Sequence, residues 1–189
     1  MLVLILSGPS GSGKSSLCKK LLDVKPNFRL SVSVTTRKPR ASEINEVDYK
    51  FVTQKDFADM QNKNEMIEAV EMYDNSYGTP KKNILQAIES GYDLIFDIDY
   101  RGAKIIENYL RTEHQTIKLA TVYVIPPSLN DLKNRLILRG DNEESIKRRL
   151  LKAKEELKFS SEYMYILNNY DLTKAFDELN LILDRSNLV

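Results

Sequence analysis

Short apolar runs alternate along the chain with stretches whose apolar residues recur every three or four positions. The runs predict buried strands at residues 2–6, 28–35, 49–52, 65–72, 92–99, 119–125 and 165–169. The periodic stretches predict helices at residues 16–23, 53–62, 79–91, 103–110, 128–138 and 172–183, and the charged segment 131–158 adds another after a break at 139–142. This alternation is typical of an α/β protein whose parallel sheet is flanked by helices.

Capping residues support several helix boundaries. Two pairs have the spacing of a capping box, Thr53 with Asp56 and Ser128 with Asp131. Thr79 and Pro80 predict an N-cap and a first-turn proline, and Gly91 predicts the end of that helix.

Composition narrows the class of protein. A chain of 189 residues is long enough for one domain with a sizeable core. Its 28 Lys and Arg nearly balance its 27 Asp and Glu, so no global field attracts nucleic acid or a membrane. One cysteine fits a reducing compartment, and no apolar segment reaches the length of a signal peptide core or a membrane span. We therefore expect a cytoplasmic protein with small-molecule partners.

A glycine-rich motif follows the first apolar run. Residues 8–15 match G-x-x-x-x-G-K-[ST], between a predicted strand and a predicted helix. The glycines let successive N–H groups point at one phosphate, the lysine adds positive charge, and the serine hydroxyl suits Mg²⁺. The proposed nucleotide ligands here are Gly8, Pro9, Ser10, Gly11, Ser12, Gly13, Lys14, Ser15 and Ser16. A plain Gly/Ser turn is the alternative, but it explains neither the lysine nor the following hydroxyl.

Two aspartates end the apolar run at 92–99. Asp97 and Asp99 are two residues apart, so in a strand both side chains would project from one face at its carboxyl end. An aspartate there can hold the Mg²⁺ shell beside a phosphate-binding loop. The alternative is that the pair caps a turn before Arg101 and Gly102.

A second polar constellation precedes this strand. Arg37 and Arg40 can grip a phosphate bidentately, and Tyr49 and Tyr77 can add phenolic hydrogen bonds. Guanine presents an O6 acceptor beside N1–H and N2–H donors, so it needs hydroxyls next to carboxylates. Those groups are available from Ser33, Glu68, Thr79 and Asp99. The alternative is a solvated, arginine-rich hairpin loop.

These residues resemble those of the guanylate kinases, and the matches run in family order along nearly the whole chain. They include residues 8–15, 31–40, 65–68 and 97–99, together with Glu43, Arg135, Arg139, Arg149 and Asn169. The resemblance implies ATP-dependent conversion of GMP, and of dGMP, to GDP or dGDP. It also implies a P-loop core at 1–31, 80–125 and 159–189, an inserted mixed α/β GMP-binding region at 32–79, and a helical lid at 126–158.

The resemblance also implies residue roles. The lid residues Arg135, Arg139 and Arg149 would reach toward ATP, and Asn169 would lie near the adenine. Ser33, Glu68, Thr79 and Asp99 would read guanine, while Arg37, Arg40, Tyr49 and Tyr77 would hold the GMP phosphate. Mg²⁺ would be held by Ser15 and, through water, by Asp97. The charge on the transferring group would be neutralised by Lys14, Arg37, Arg135 and Arg149.

The chain departs from the family pattern at several positions. Ser42 and Glu46 stand where glycines are usual, which leaves the loop path between Arg40 and Tyr49 open. Tyr100 and Arg101 replace the usual aromatic–glutamine pair.

Two other functions fit parts of the pattern. Guanylate-kinase-like domains of scaffold proteins bind phosphopeptides without transferring phosphate, but this chain keeps Gly13, Lys14 and Ser15. If the protein were a different P-loop enzyme, Ser33, Glu68 and Thr79 would have no common function.

Overall fold

The computed structural model describes residues 1–40, 43–72 and 74–188. Its strands are β1 Leu2–Ser7, β2 Phe28–Leu30, β3 Val34–Thr35, β4 Lys50–Phe51, β5 Met66–Met72, β6 Asn75–Pro80, β7 Asp93–Asp97, β8 Lys118–Ile125 and β9 Tyr165–Asn168. Its α-helices are α1 Lys14–Val24, α2 Gln54–Asn62, α3 Lys81–Ser90, α4 Tyr100–Glu113, α5 Leu129–Leu138, α6 Glu143–Glu156 and α7 Leu172–Leu188. A 3₁₀ helix, Leu157–Glu162, continues α6.

The central sheet has five parallel strands in the order β2-β7-β1-β8-β9. Every residue of β1 is buried, as its unbroken apolar sequence predicts for a strand covered on both faces. Leu4 faces the α1–α7 layer, whereas Ile5 faces the α3–α4 layer. The α/β fold class is therefore confirmed, with the carboxyl ends of β1 and β7 side by side.

A second, mixed sheet stands beside the first in the order β4-β3-β6-β5. It packs on α2 through Val34, Phe57 and Met66. The single strand expected at 28–35 is wrong, because β2 belongs to the central sheet and β3 to the second sheet. The chain crosses between them at residues 31–33.

Two predicted assignments, one at a helix start and one at a strand end, are wrong. The Thr79 N-cap is wrong, because Thr79 lies in β6 and its hydroxyl donates to Glu68 while Pro80 occupies the N-cap position. Asp99 does not project from a strand, because β7 ends at Asp97 and Asp99 caps α4 by accepting from the Gly102 N–H at 2.9 Å. That cap is the alternative expected for the aspartate pair.

The remaining helix boundaries follow local chemistry. The capping box of Thr53 and Asp56 is confirmed, and Ser128 accepts from the Asp131 N–H. Gly91 ends α3 with φ +72°, in the left-handed region where glycine is favoured.

The chain's one cysteine is part of the core. Cys18 is buried on α1, and burial raises the pKa of its thiol well above the ordinary value. Helices α5 and α6 have a small core of their own, formed by Leu132, Leu136 and Ile146. Across the described ranges, no helix is both long and apolar enough to cross a membrane.

Candidate active site

A cleft at the carboxyl edge of the central sheet separates the glycine-rich loop from the second sheet. Among the predicted site residues it is lined by Gly8, Ser10, Gly11, Lys14, Ser15, Ser33, Arg37, Arg40, Tyr49, Glu68, Tyr77, Asp97, Asp99, Arg139 and Arg149. A second groove on the other side of the loop is lined by Gly11, Gly13, Lys14, Ser15, Ser16, Arg135, Arg139, Asn169 and Leu172. Pro9, Ser12 and Thr79 line neither the cleft nor the groove. Ser12 and Thr79 are buried behind the residues that line them.

The glycine-rich loop needs its glycines for backbone shape and for space. Gly13 has φ +101°, and a Cβ there would lie 2.0 Å from Asn169 Nδ2. A Cβ on Gly8, at φ +136°, would lie 2.4 Å from the carbonyl oxygen of Val124. The loop leads directly into α1 at Lys14, so the unpaired N–H groups of the first helical turn face the space beside it. Such a helix start favours a phosphate.

Three polar side chains meet where the loop reaches β7. The Ser15 hydroxyl donates to Asp97 Oδ2 at 2.5 Å, and Lys14 Nζ lies 3.9 Å from Asp97 Oδ1. The Lys14 ammonium also donates to the Gly8 carbonyl oxygen at 2.8 Å. Hydroxyl and carboxylate oxygens are ligands that Mg²⁺ prefers. In the part of the chain that the structure describes, no group of three or more His, Cys, Asp or Glu side chains could hold a metal by itself.

Arg135, from α5, closes one side of the loop. It donates to the carbonyl oxygens of Ser12 and Asn169, each at 3.0 Å. The Asn169 amide donates to the same Ser12 oxygen at 2.7 Å. The loop, α5 and the end of β9 are thereby fixed against one another.

Two further arginines reach the loop across the cleft. Arg149 donates to Ser10 Oγ at 2.9 Å, and Arg139 approaches the same oxygen at 3.4 Å. Asp141 accepts from Arg139 Nε at 2.6 Å and lies 3.5 Å from Arg149 Nε. Both guanidinium groups are thus held beside the loop by one carboxylate.

An acid that the site prediction omitted organises the other wall. Glu43 accepts from both terminal nitrogens of Arg37 at 2.9 Å and from Arg40 Nη1 at 3.1 Å. Burial alone would raise the pKa of Glu43, but its hydrogen bonds with Arg37 and the Arg40 N–H outweigh burial and lower it. The position of Glu43 close to Arg37 and Arg40 in the sequence was the signal that could have identified it as their partner. Arg37 also lies over the Tyr49 ring, 5.3 Å from its centroid, and Tyr77 packs edge-on against Tyr49.

A buried acid lies at the far end of the cleft. Thr79 Oγ1 donates to Glu68 Oε1 at 2.8 Å. Among the described residues, Glu68 Oε2 and Asp99 Oδ2 are buried oxygens without a hydrogen-bond donor. Burial, reinforced by the Asp99 charge and opposed by the Thr79 hydrogen bond, raises the pKa of Glu68 to about 7. Two carboxylate oxygens are therefore available to donors on a bound molecule.

Lys152 and Glu156, on α6, also belong to this end of the cleft and were missed. Lys152 Nζ lies 3.6 Å from Asp99 Oδ2 and 3.2 Å from Glu156 Oε1. Burial raises the pKa of Glu156, although the Lys152 charge opposes the shift. The spacing of Arg149, Lys152 and Glu156 places them on one helix face, which was the signal in the sequence.

The departures from the family pattern have different outcomes. Glu46 takes φ +62°, a left-handed conformation that glycine would adopt without strain. Ser42 lies outside the described residues. Arg101 donates to the Glu71 carbonyl oxygen at 3.1 Å, and its Nε lies 3.7 Å from Asp99 Oδ2.

Comparison with known proteins gives consistent matches over the whole chain. A family model described as "Guanylate kinase" matches residues 1–186. The guanylate kinase of Rickettsia bellii is 40% identical over 183 residues, which cover 96% of this chain and 93% of that protein. The guanylate kinase of Cereibacter sphaeroides is 41% identical, over 99% of this chain and 87% of that protein. The crystal structure of guanylate kinase from Anaplasma phagocytophilum superposes with a TM-score of 0.77 at 29% identity, covering 97% of this chain and 85% of that one.

Proposed function

Because this chain belongs to the guanylate kinase family, we propose that its cleft transfers the γ-phosphoryl group of ATP to GMP, giving ADP and GDP. The observation that carries the proposal is the pairing of buried Glu68 with Thr79 at one end of a cleft whose other end is a P-loop. With Thr79 donating to Oε1, Oε2 of this buried carboxyl group stays available to the N1–H and N2–H donors of guanine, and adenine has no matching donors there. We expect dGMP to be accepted as well, because the base and phosphate ligands do not depend on the 2′-hydroxyl.

The donor half of the site is the P-loop with the groove beside it. Residues 8–16 supply N–H groups and hydroxyls for the ATP phosphates, and Lys14 supplies a cation. Arg135 and Asn169 line the groove that would take the adenosine, while Arg139 and Arg149 approach from the cleft side. The predicted division into core, GMP-binding region and lid accords with this arrangement, because the lid segment 126–158 carries all three arginines.

A magnesium ion fits Ser15 and Asp97. Their oxygens are 2.5 Å apart beside the lysine that would meet the terminal phosphates. Ser15 would hold the ion through its hydroxyl and Asp97 would hold it through water, with ATP phosphate oxygens among the other ligands. When bound, Mg²⁺ would neutralise phosphate charge and orient the β- and γ-phosphates.

The acceptor half begins at the arginine-rich wall. Arg37, Arg40, Tyr49 and Tyr77 would hold the GMP phosphate, with Glu43 keeping the two guanidinium groups in place before substrate binds. Ser33 lines the same cleft and would face the base together with Glu68 and Asp99, while Thr79 lies behind Glu68 and donates to it. The preformed ion pairs reduce the ordering needed when the phosphate binds.

Catalysis would come from alignment and charge neutralisation. The attacking oxygen of GMP is already anionic, so the reaction needs no strong general base. Lys14, Arg37, Arg135 and Arg149 are the cations proposed to neutralise the transferring group. Closure of the lid over ATP would exclude water, which would otherwise accept the phosphoryl group.

The test is an ADP-release assay with GMP, dGMP, AMP, CMP and UMP as acceptors, each with ATP and Mg²⁺. We expect turnover with GMP and dGMP, and at least about 10³-fold lower kcat/KM with AMP because buried polar groups would lose their partners. Equal rates with AMP and GMP would contradict guanine recognition. ADP release independent of any acceptor would instead identify an NTPase, and no turnover with any acceptor would favour a binding domain.

A further inference from the structure

Helix α6 reaches both halves of the cleft from one face. Ser145, Arg149, Lys152 and Glu156 are three or four residues apart, so they follow one line along the helix. Arg149 contacts Ser10 in the P-loop, whereas Lys152 contacts Asp99 at the acceptor end. One rigid element therefore carries a cation to each substrate site.

The Lys152 ammonium lies among groups from three elements. Its Nζ is 3.6 Å from Asp99 Oδ2, 3.2 Å from Glu156 Oε1 and 2.8 Å from Met72 Sδ. Only 22% of its side chain is exposed, and those of Asp99 and Glu156 are 9% and 7% exposed. These charges are shielded from water and salt, so their interaction is stronger than that of a surface pair.

Lys152 completes the fixing of Asp99. Asp99 Oδ1 is held by the Gly102 N–H, while Oδ2 has the Lys152 and Arg101 cations nearby without a direct hydrogen bond. Arg101 is 45% exposed and donates to Glu71, so Lys152 is the better shielded of the two cations. Without Lys152, less positive charge would offset the repulsion between Asp99 Oδ2 and the nearby Glu68 carboxylate.

We propose that Lys152 is a positioning residue for acceptor selection, holding Asp99 Oδ2 where it meets the 2-amino edge of guanine. The inference rests on the proposed function and deepens it. Because Lys152 belongs to α6, formation of this contact also accompanies docking of Arg149 on the P-loop. Lys152 contacts Asp99 and is not itself among the described residues that line the cleft, so its effect on a bound nucleotide would pass through Asp99.

The test compares GMP with IMP, which lacks the 2-amino group. Lys152→Met keeps the apolar stem and removes the charge, and Lys154→Met, an exposed site on the same helix, is the matched control. We expect Lys152→Met to raise KM for GMP about tenfold, with a smaller fall in kcat and less than about a twofold change in KM for IMP. The dissociation constant of a non-hydrolysable ATP analogue should change by less than about twofold.

A double-mutant cycle with Asp99→Asn tests whether the effect passes through Asp99, because asparagine keeps an oxygen that can cap α4. GMP and IMP dissociation constants are measured calorimetrically for the four proteins, so the cycle does not require turnover. We expect Lys152→Met to change GMP affinity less than about twofold in the Asp99→Asn background. Thermal unfolding checks the fold, and Lys152→Gln replaces the methionine variant if that protein does not fold.

Three results would overturn the proposal: an unchanged GMP/IMP ratio in the Lys152 variants, additive effects with Asp99→Asn, or equal effects of Lys152→Met and Lys154→Met. Failure of the proposed function is separately visible, because the unsubstituted protein would then show no preference for GMP as acceptor. A uniform loss with both nucleotides would indicate a merely structural lysine.

Discussion

At the scale of single residues, two ionisable side chains at opposite ends of the cleft have separable tasks. Lys14 contacts main-chain oxygens of the P-loop and lies 3.9 Å from Asp97, with little of its side chain exposed. Glu68 is buried with Thr79 as its donor. Lys14 should therefore determine the turnover rate, and Glu68 should determine which base is accepted.

Removing the Lys14 cation should nearly abolish phosphoryl transfer. Lys14→Ala is expected to lower kcat at least about 10³-fold, because no other side chain can occupy the same place between the loop and the transferring phosphate. Steady-state ADP release measures this. Lys20→Ala, on the same helix but packed over Phe176, is the control and should keep kcat within about twofold. Wild-type kcat in Lys14→Ala would contradict the P-loop mechanism.

Glu68 should make the stability of the unliganded protein depend on pH. Its pKa is raised from 4.5 to about 7 in the folded chain, mainly by burial, so between these values the folded state holds a proton that the unfolded state has lost. Stability from this group therefore falls as pH rises from about 4.5 to 7. Glu68→Gln should gain roughly 1–3 kcal/mol relative to wild type between pH 5 and pH 8. Urea unfolding at both pH values measures the change.

Glu65→Gln provides the control for that titration, because Glu65 is exposed just before the same strand. The gain between pH 5 and pH 8 should be larger in Glu68→Gln than in Glu65→Gln, because Glu68 is buried and Glu65 is exposed. A Glu68→Gln difference that is flat with pH would show that Glu68 is ionised throughout. In the acceptor assay, an unchanged GMP/AMP preference in Glu68→Gln would count against its contact with guanine.

At the scale of elements, local signals explain what the sequence could predict. The P-loop and the Thr53–Asp56 box are specified by residues within a few positions of one another, so their position and conformation were foreseeable. Thr79 was wrongly predicted to be an N-cap because its hydroxyl donates instead to Glu68 on a neighbouring strand. Lys152 escaped the site prediction because folding alone brings it to Asp99 and Met72. Glu43 lies close in sequence to its partners Arg37 and Arg40, but the sequence did not show that one carboxylate bridges both. The division of 28–35 between two sheets likewise has no local marker.

The loop between Arg40 and Tyr49 carries a measurable local cost. Glu46 adopts φ +62°, which costs a non-glycine residue roughly 1–2 kcal/mol. Glu46→Gly should therefore stabilise the fold by roughly 0.5–1 kcal/mol, after allowing for the greater freedom of glycine in the unfolded chain. Chemical denaturation measures this gain. The matched control is Asn64→Gly at φ +55°, where asparagine already tolerates the conformation and the gain should be smaller. If Glu46→Gly stabilised the fold less than Asn64→Gly, the proposed backbone strain at Glu46 would be refuted.

At the scale of the whole molecule, the two substrate sites share structural elements. Helix α6 contacts the P-loop through Arg149, and its Arg148 lies 3.3 Å from Asp74 in the turn between β5 and β6. Arg135 fixes the loop to the end of β9. Each nucleotide would therefore favour an arrangement that also suits the other.

This sharing predicts cooperative binding. The dissociation constant of GMP should fall at least about fivefold when a non-hydrolysable ATP analogue and Mg²⁺ are present, and the analogue should gain the same factor from GMP. Isothermal titration calorimetry in both orders measures the two factors, with AMP replacing GMP as the control. Identical GMP affinity with and without the analogue would show that the half-sites bind independently.

Because the single thiol of the protein is buried, cysteines introduced at the surface can be labelled selectively. Cys18 is 3% exposed and its pKa is raised, so maleimides should react with it slowly in the native state. Cysteines introduced by Leu138→Cys on α5 and Leu85→Cys on α3, at side chains 87% and 46% exposed, would then carry a dye pair without removing the native residue. Energy transfer between the dyes would follow the distance between these helices, molecule by molecule, during turnover.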